Sequence, residues 1–305
     1  MKSFALLGLL VSLGFPTLAM AEGAGNRVPV VPGLEFEAPP EALTVAPRAL
    51  ADLVGEESAA GAAAVPVVRM VYLVPSDRTP SKVYRRRMEL AIRELQAFYW
   101  HQLGRKTFSL HDPVVEVVQT SHPVSWYTQE APASSDALRF WESVTADGFD
   151  LLQGGFDEPQ NRWIFYVDAD PACGQVTGGT SGVALLPAND LRGLSCQSNH
   201  PVCPGDSPDT GRFCRWVGGL GHELGHSFNL PHPTVGTCPS RDPNCLTALM
   251  WYGYITFPNA YLLPEDKQSL LISPATRDFF TAVRPKPVQP CETACPTRRK
   301  GAPGV

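Results

Sequence analysis

The sequence predicts an α+β fold with α/β-like layering, and three observations carry that expectation. Runs rich in β-branched and aromatic residues at 65–75 and 162–169 read as buried strands. Stretches with apolar residues at three- and four-residue steps, at 81–104 and 134–152, read as amphipathic helices between them. The resulting order is strand, helix, strands, helix, strands, helix, loop, helix, which buries its apolar faces as a layer sandwich.

The elements follow in chain order. Lys2 is a short positive start, Phe4 to Leu13 is an apolar core, and Ala19-Met20-Ala21 fits a small-x-small cleavage site. Residues 1–21 are therefore expected to be a signal peptide cut after Ala21. Ser12 and Pro16 interrupt the apolar run, which argues against a membrane anchor in the mature form. Residues 22–65 are rich in Ala, Pro, Gly and Glu with one aromatic, Phe36, so a poorly ordered linker or pro-segment is expected there. A catalytic-size domain over 66–285 follows, divided into 66–232 and 233–285, and then a Pro-rich tail over 286–305.

Within that domain, Met88, Ile92, Leu95, Phe98, Tyr99 and Leu103 define the buried face of the first helix, and Gly104 ends it. Strands are expected near 107–110 and 114–120. The second helix is expected to start at Ser134 or Ser135, both good N-caps. A short strand is read at 181–187, and a loop over 188–212. The next helix runs from about Arg212 to Phe228. A late helix is read over 264–273 and its pattern extends through 280; Pro264 suits its first turn.

The net charge of −5 becomes −6 when Lys2 leaves with residues 1–21. An acidic balance argues against nucleic acid as a partner. Arg85-Arg86-Arg87 is read as a solvated helix face. Eight cysteines, all from residue 173 onward, imply disulfides in an exported chain. Nearness in sequence suggests Cys173–Cys214, Cys196–Cys203, Cys238–Cys245 and Cys291–Cys295. No C-x-x-C pair points to a cysteine zinc site.

The chemistry concentrates in "HELGHSFNLPH", residues 222–232. Positions four apart on a helix differ by about 40° in direction, so His222 and His226 project from one face and can share a metal ion. Glu223 stands one step around, where a general base can reach a water beside the ion. Residue 232 would lie about 15 Å along a continued helix, so the chain must turn back to add His232 as a third ligand. Asn229 is one of the few non-glycine residues that enter the left-handed conformation at low cost, and Pro231 cannot continue a helix. Three neutral imidazoles leave a fourth position for water, as catalytic zinc sites do. Glycines at 218, 219, 221 and 225 each cost about 1 kcal/mol in a helix interior. Close packing of this helix, or room near the ion, is the expected reason for them.

The extended pattern resembles the zinc signature of the metzincin metallopeptidases, with Asn229 where that family has glycine. "TALMWYGY" (247–254) is similar to the family's methionine turn. The resemblance implies a metzincin-like catalytic domain: a twisted, mostly parallel sheet with an antiparallel edge strand packed on helices, a zinc-site helix, and a smaller C-terminal subdomain with a Met-turn and a C-terminal helix. It implies one catalytic Zn2+ held by His222, His226 and His232, with Glu223 catalytic and Met250 beneath the ligands. It also implies that Tyr252 either binds zinc or stabilises the oxyanion. The substrate-binding edge strand would be Gly182 to Leu186.

The function expected is that of a secreted or periplasmic zinc endopeptidase acting on protein or peptide, with a monomer as the expected state. The alternatives are a zinc amidase on cell-wall or glycan-linked material, and a non-catalytic secreted binding protein with a structural zinc. "VDADP" (167–171) lacks a calcium-loop pattern and is read as loop.

Overall fold

The computed structural model describes residues 65–156, 158–197, 202–204, 212–233 and 245–294. The expected signal peptide, the 22–64 segment and the end of the tail lie outside the described residues.

Six strands form one sheet, in the order β4-β5-β3-β1-β2-β6. β1 (Val67–Val74), β2 (Thr107–Gln119), β3 (Asn161–Val167) and β5 (Val183–Leu186) are mutually parallel along this order. β4 (Gly178–Thr180) and β6 (Phe280–Thr281) close the two edges antiparallel. The α+β class and the mostly parallel sheet are as expected, with an antiparallel strand at both edges.

Alternation along the strands sets the layers. Met70, Tyr72, Ile164, Tyr166, Ala184 and Leu186 face one buried cluster, together with α1 (Lys82–Gln102) and α4 (Phe213–Ser227). Val71, Leu73, Trp163, Phe165, Val183 and Leu185 face the other, with α2 (Arg139–Leu152). Successive side chains point to opposite faces, so a strand covered on both sides must be apolar throughout. That is why β1 and β3 read as continuous apolar runs.

α1 begins where expected: the Ser81 hydroxyl accepts from the Tyr84 N–H at 3.3 Å. It ends at Gln102 with Leu103 as its cap, and Gly104 just beyond has a φ of +62°. Arg87 donates to the Ala294 carbonyl at 2.9 Å, so only Arg85 and Arg86 of that basic run are fully exposed.

Several boundaries differ from expectation. The two strands expected near 107–110 and 114–120 are one strand, β2, whose register against β1 shifts between Val68 and Met70 so that residues 111–114 bulge out. α2 starts at Arg139, because Ser134 binds the Glu142 carboxylate through its N–H and hydroxyl and Ser135 accepts from the Leu138 N–H, holding 134–138 in turns. The expected loop 188–212 contains a helix, α3 (Ala188–Leu194). The edge strand is β4, which has β5 as its partner; β5 itself lies between β4 and β3 and is wholly buried, so Gly182 to Leu186 is not an edge.

After the short α5 (Tyr254–Thr256), α6 spans Pro264–Ile272 and stops there. Residues 277–279 form a separate tight turn leading into β6. The disulfides are Cys173–Cys203 and Cys214–Cys291, which overturns the expected Cys173–Cys214, Cys196–Cys203 and Cys291–Cys295. Pairing follows the fold instead of sequence distance: Cys214 opens α4, and the segment carrying Cys291 lies against that end. Cys196 and Cys245 are also disulfide-bonded, and Cys238 and Cys295 lie outside the described residues. No described helix is long and apolar enough to cross a membrane.

At the start of α6 the Asp266 carboxylate accepts from the Leu263 N–H at 3.0 Å, yet the residue is 4% exposed. Burial raises its pKa to about 6. The folded chain therefore holds this proton more tightly than the unfolded chain, and stability falls as pH rises from about 4 to about 6, then levels off. Asp266→Asn keeps an acceptor for Leu263 and removes the buried charge. It should gain about 1–3 kcal/mol over wild type at about pH 8 and little at about pH 4, measured by urea unfolding. An equal difference at both pH values would contradict this origin.

Candidate metal centre

α4 carries the first two histidines on one face, and its end supplies the third. Phe228 caps the helix, and Asn229 takes φ +64°. The Asn229 N–H donates to the His226 carbonyl at 2.8 Å and the Leu230 N–H to the Gly225 carbonyl at 3.0 Å. Together these form a Schellman closure, with Asn229 in the position that glycine commonly fills. The turn reverses the chain so that His232 faces back toward the helix.

The three Nε2 atoms then converge. His222 lies 3.0 Å from His232, His226 lies 3.2 Å from His222, and His226 lies 3.2 Å from His232. The Nδ1 of His222 meets the Leu249 carbonyl at 2.8 Å, and the Nδ1 of His226 meets the Leu230 carbonyl at 2.7 Å. A carbonyl only accepts, so these Nδ1 atoms carry the protons and the Nε2 atoms present lone pairs. Lone pairs at such spacing repel unless a cation lies among them, and one proton can bridge two rings but not three. The separations of 3.0–3.2 Å allow one point about 2.1 Å from all three nitrogens, which matches zinc–imidazole bond lengths. The donor set thus fits a divalent metal.

The surroundings hold this arrangement closely. A Cβ at Gly225 would meet the Met250 Sδ at 2.2 Å, and one at Gly218 would meet the Tyr254 carbonyl at 2.1 Å. A Cβ at Gly221 would meet Leu95 at 2.7 Å. Three of the four helix glycines therefore mark close approach to α1 or to the 249–257 segment. From the sheet side, a Cβ at Gly179 of β4 would meet the Glu223 carbonyl at 2.5 Å and the His226 Cβ at 2.8 Å.

Glu223 is 2% exposed. Burial first, then the charges of Asp190 and Glu223, push the Tyr166 hydroxyl well above its ordinary pKa. Tyr252 is half-buried and has its ring contact with Trp251, at 4.8 Å between centroids. The rings nearest the histidines are ones the sequence reading did not single out: Tyr254 at 5.1 Å from His222 and Trp251 at 6.0 Å from His232. Their signal was available, since both flank Tyr252 in the same turn. Arg215 of α4 sits over the Tyr254 ring at 4.8 Å.

The remaining described histidines stand apart from this cluster. His111 lies 3.4 Å from Glu116, and His122 lies 3.1 Å from Asp147 and stacks on Trp126. His200 lies outside the described residues. In 167–171, Asp168 accepts from the Tyr72 hydroxyl at 2.8 Å and Asp170 pairs with Arg192 at 2.8 Å, so both carboxylates have protein partners.

No family model matches the sequence, and no curated protein matches it. Among solved structures, the chain is similar to wild-type OgpA from Akkermansia muciniphila, with 20% identity over 76% of this chain and 65% of that one, at a TM-score of 0.46. It is similar to catalytically inactive OgpA in complex with the O-glycopeptide substrate glycodrosocin, with 19% identity over the same shares and a TM-score of 0.45. It is similar to archaemetzincin from Methanopyrus kandleri, with 16% identity over 67% of this chain and 93% of that one, at a TM-score of 0.34. The chain spans 65% of the length of OgpA.

The Asn229 turn is directly testable. Asn229→Gly should leave zinc affinity within about threefold of wild type, because glycine enters this conformation freely. Asn229→Val should weaken zinc by about tenfold or more, since a β-branched residue resists positive φ. Competition with a chromophoric chelator reads both, and a valine variant with wild-type affinity would show that the turn does not position His232.

Proposed function

We propose that the chain is a secreted zinc-dependent endopeptidase. The observation that carries this reading is the convergence of the His222, His226 and His232 Nε2 atoms within 3.2 Å of one another, beside a buried carboxylate one residue along the helix.

A zinc ion held by His222, His226 and His232 would supply Lewis acidity, bringing the pKa of a water down to about 7 and polarising a carbonyl. The chain's own groups do the rest. Glu223 takes a proton from the attacking water and delivers it to the departing amine nitrogen. Tyr252, on the same turn as Met250, donates to the oxygen on which negative charge develops. Met250 supports the triad from beneath, through its contact with Gly225. The free side of β4 offers backbone groups to an extended peptide. Strand addition there gives affinity that is largely independent of side-chain identity. Gly179 lies against Glu223 and His226, so a peptide on that edge runs next to the triad.

Burying a carboxylate costs free energy that a purely structural zinc does not call for, which favours catalysis over a stapling role. The disulfides suit an oxidising compartment, in line with export.

Glu223→Gln should keep one zinc per chain and the wild-type melting temperature while peptide-library cleavage falls by about a thousandfold or more. Tyr252→Phe should lower kcat by about tenfold to a hundredfold with little change in KM, and Tyr254→Phe should act mainly on zinc affinity. Equal cleavage by Glu223→Gln and wild type would exclude the enzyme. Loss of kcat in Tyr254→Phe alone would transfer the oxyanion role to that residue.

A further inference from the structure

Where α1 ends, an open cavity of about 670 Å³ is lined by Trp100, His101, Gly104, Arg105 and Arg284. Among the described residues its lining has two arginines, a histidine and a tryptophan, and no acidic residue. Among the described residues, Trp100 stacks on no other ring, and His101, Arg105 and Arg284 make no ion pair and no side-chain hydrogen bond. This stands out in a chain whose 30 acidic residues outnumber its 25 basic ones.

Two structural features bring these groups together. The pairing of Thr107 with Thr281 carries the chain past β6 and returns Arg284 to the α1 end. Gly104 and Arg105 take successive positive φ values of +62° and +70°. Glycine adopts that backbone freely, whereas arginine does so at a cost of about 1–3 kcal/mol, a kind of strain often found at ligand clamps. Basic residues at a helix C-terminus also complement the helix dipole, which accounts for His101 and Arg105. It does not account for Arg284, which arrives from another part of the fold, or for the strained backbone.

We propose that this cavity binds an acidic sugar, a pyranose bearing a carboxylate or sulfate, as found along anionic polysaccharides and at the ends of acidic glycans. Arg105 and Arg284 present planar donor forks that match carboxylate and sulfate oxygens. Trp100 offers a flat apolar face for the ring's C–H side. The volume is in the range of small-ligand sites. A bare anion has no use for the indole. A nucleoside monophosphate, which could also stack on an indole beside arginines, is the competing occupant that the titration distinguishes.

The test is calorimetric titration of the full chain with a chondroitin sulfate hexasaccharide, neutral maltohexaose, adenosine monophosphate and inorganic sulfate. The hexasaccharide should bind, and more weakly as salt rises; the other three should bind at least about tenfold more weakly. Arg105→Gly suits the left-handed backbone, so it should fold and still weaken the hexasaccharide by about tenfold, as should Arg284→Ala and Trp100→Ala. Any of three results would overturn the proposal: no hexasaccharide binding, equal binding of maltohexaose, adenosine monophosphate or sulfate, or variants that bind as wild type does. The readout is binding and not hydrolysis, so it succeeds or fails independently of the zinc reading.

Discussion

Three imidazole nitrogens brought within 3.2 Å of one another, two of them with their lone pairs fixed inward, form an arrangement that resists its own assembly. Without a cation the rings repel, and with one they become the strongest local constraint in the fold. The chain is built to hold them against that repulsion. The Leu249 and Leu230 carbonyls tie off the Nδ1 protons of His222 and His226. Such outer partners fix ring orientation and raise ligand basicity. The turn at Asn229 therefore acts twice: it returns His232 to the cluster, and it places the Leu230 carbonyl that orients His226.

The same constraint explains a helix that is poor by propensity. α4 carries glycines at positions where any side chain would strike Met250, the Tyr254 backbone or Leu95. Each weakens the isolated helix, and each lets a neighbouring element approach within contact distance. The 249–257 segment can then sit under the histidines, and β4 can lie across Glu223 and His226. Site geometry and core packing are thus the same set of contacts, because the helix that buries Trp216, Leu220 and Leu224 also presents the ligands.

Much of this was legible in the sequence. α1, α4, β1 and β3 carry strong periodicity or continuous apolar runs because their packing demands it. The spacing of His222 and His226 and the helix-ending pair Asn229 and Pro231 point to the convergence of His222, His226 and His232 before any coordinates. Other features leave little trace. β4 is three residues of Gly-Gly-Thr held by pairing with β5, with no pattern of its own. α3 lies in a stretch whose Asn, Gly and Ser content reads as loop, and its burial against α1 and α4 overrides that. The Cys214–Cys291 bond joins residues 77 apart in sequence, a proximity only the tertiary fold creates. Backbone carbonyls that orient the histidines are invisible by nature, since every residue has one.

The central claim is that one metal ion binds at the His222, His226 and His232 Nε2 atoms. X-ray absorption at the zinc edge on the purified, zinc-loaded chain tests it most directly. The account predicts one zinc per chain, three imidazole nitrogens at about 2.0–2.1 Å and one further light-atom ligand. A sulfur shell near 2.3 Å, or a signal unchanged by His232→Ala, would contradict it.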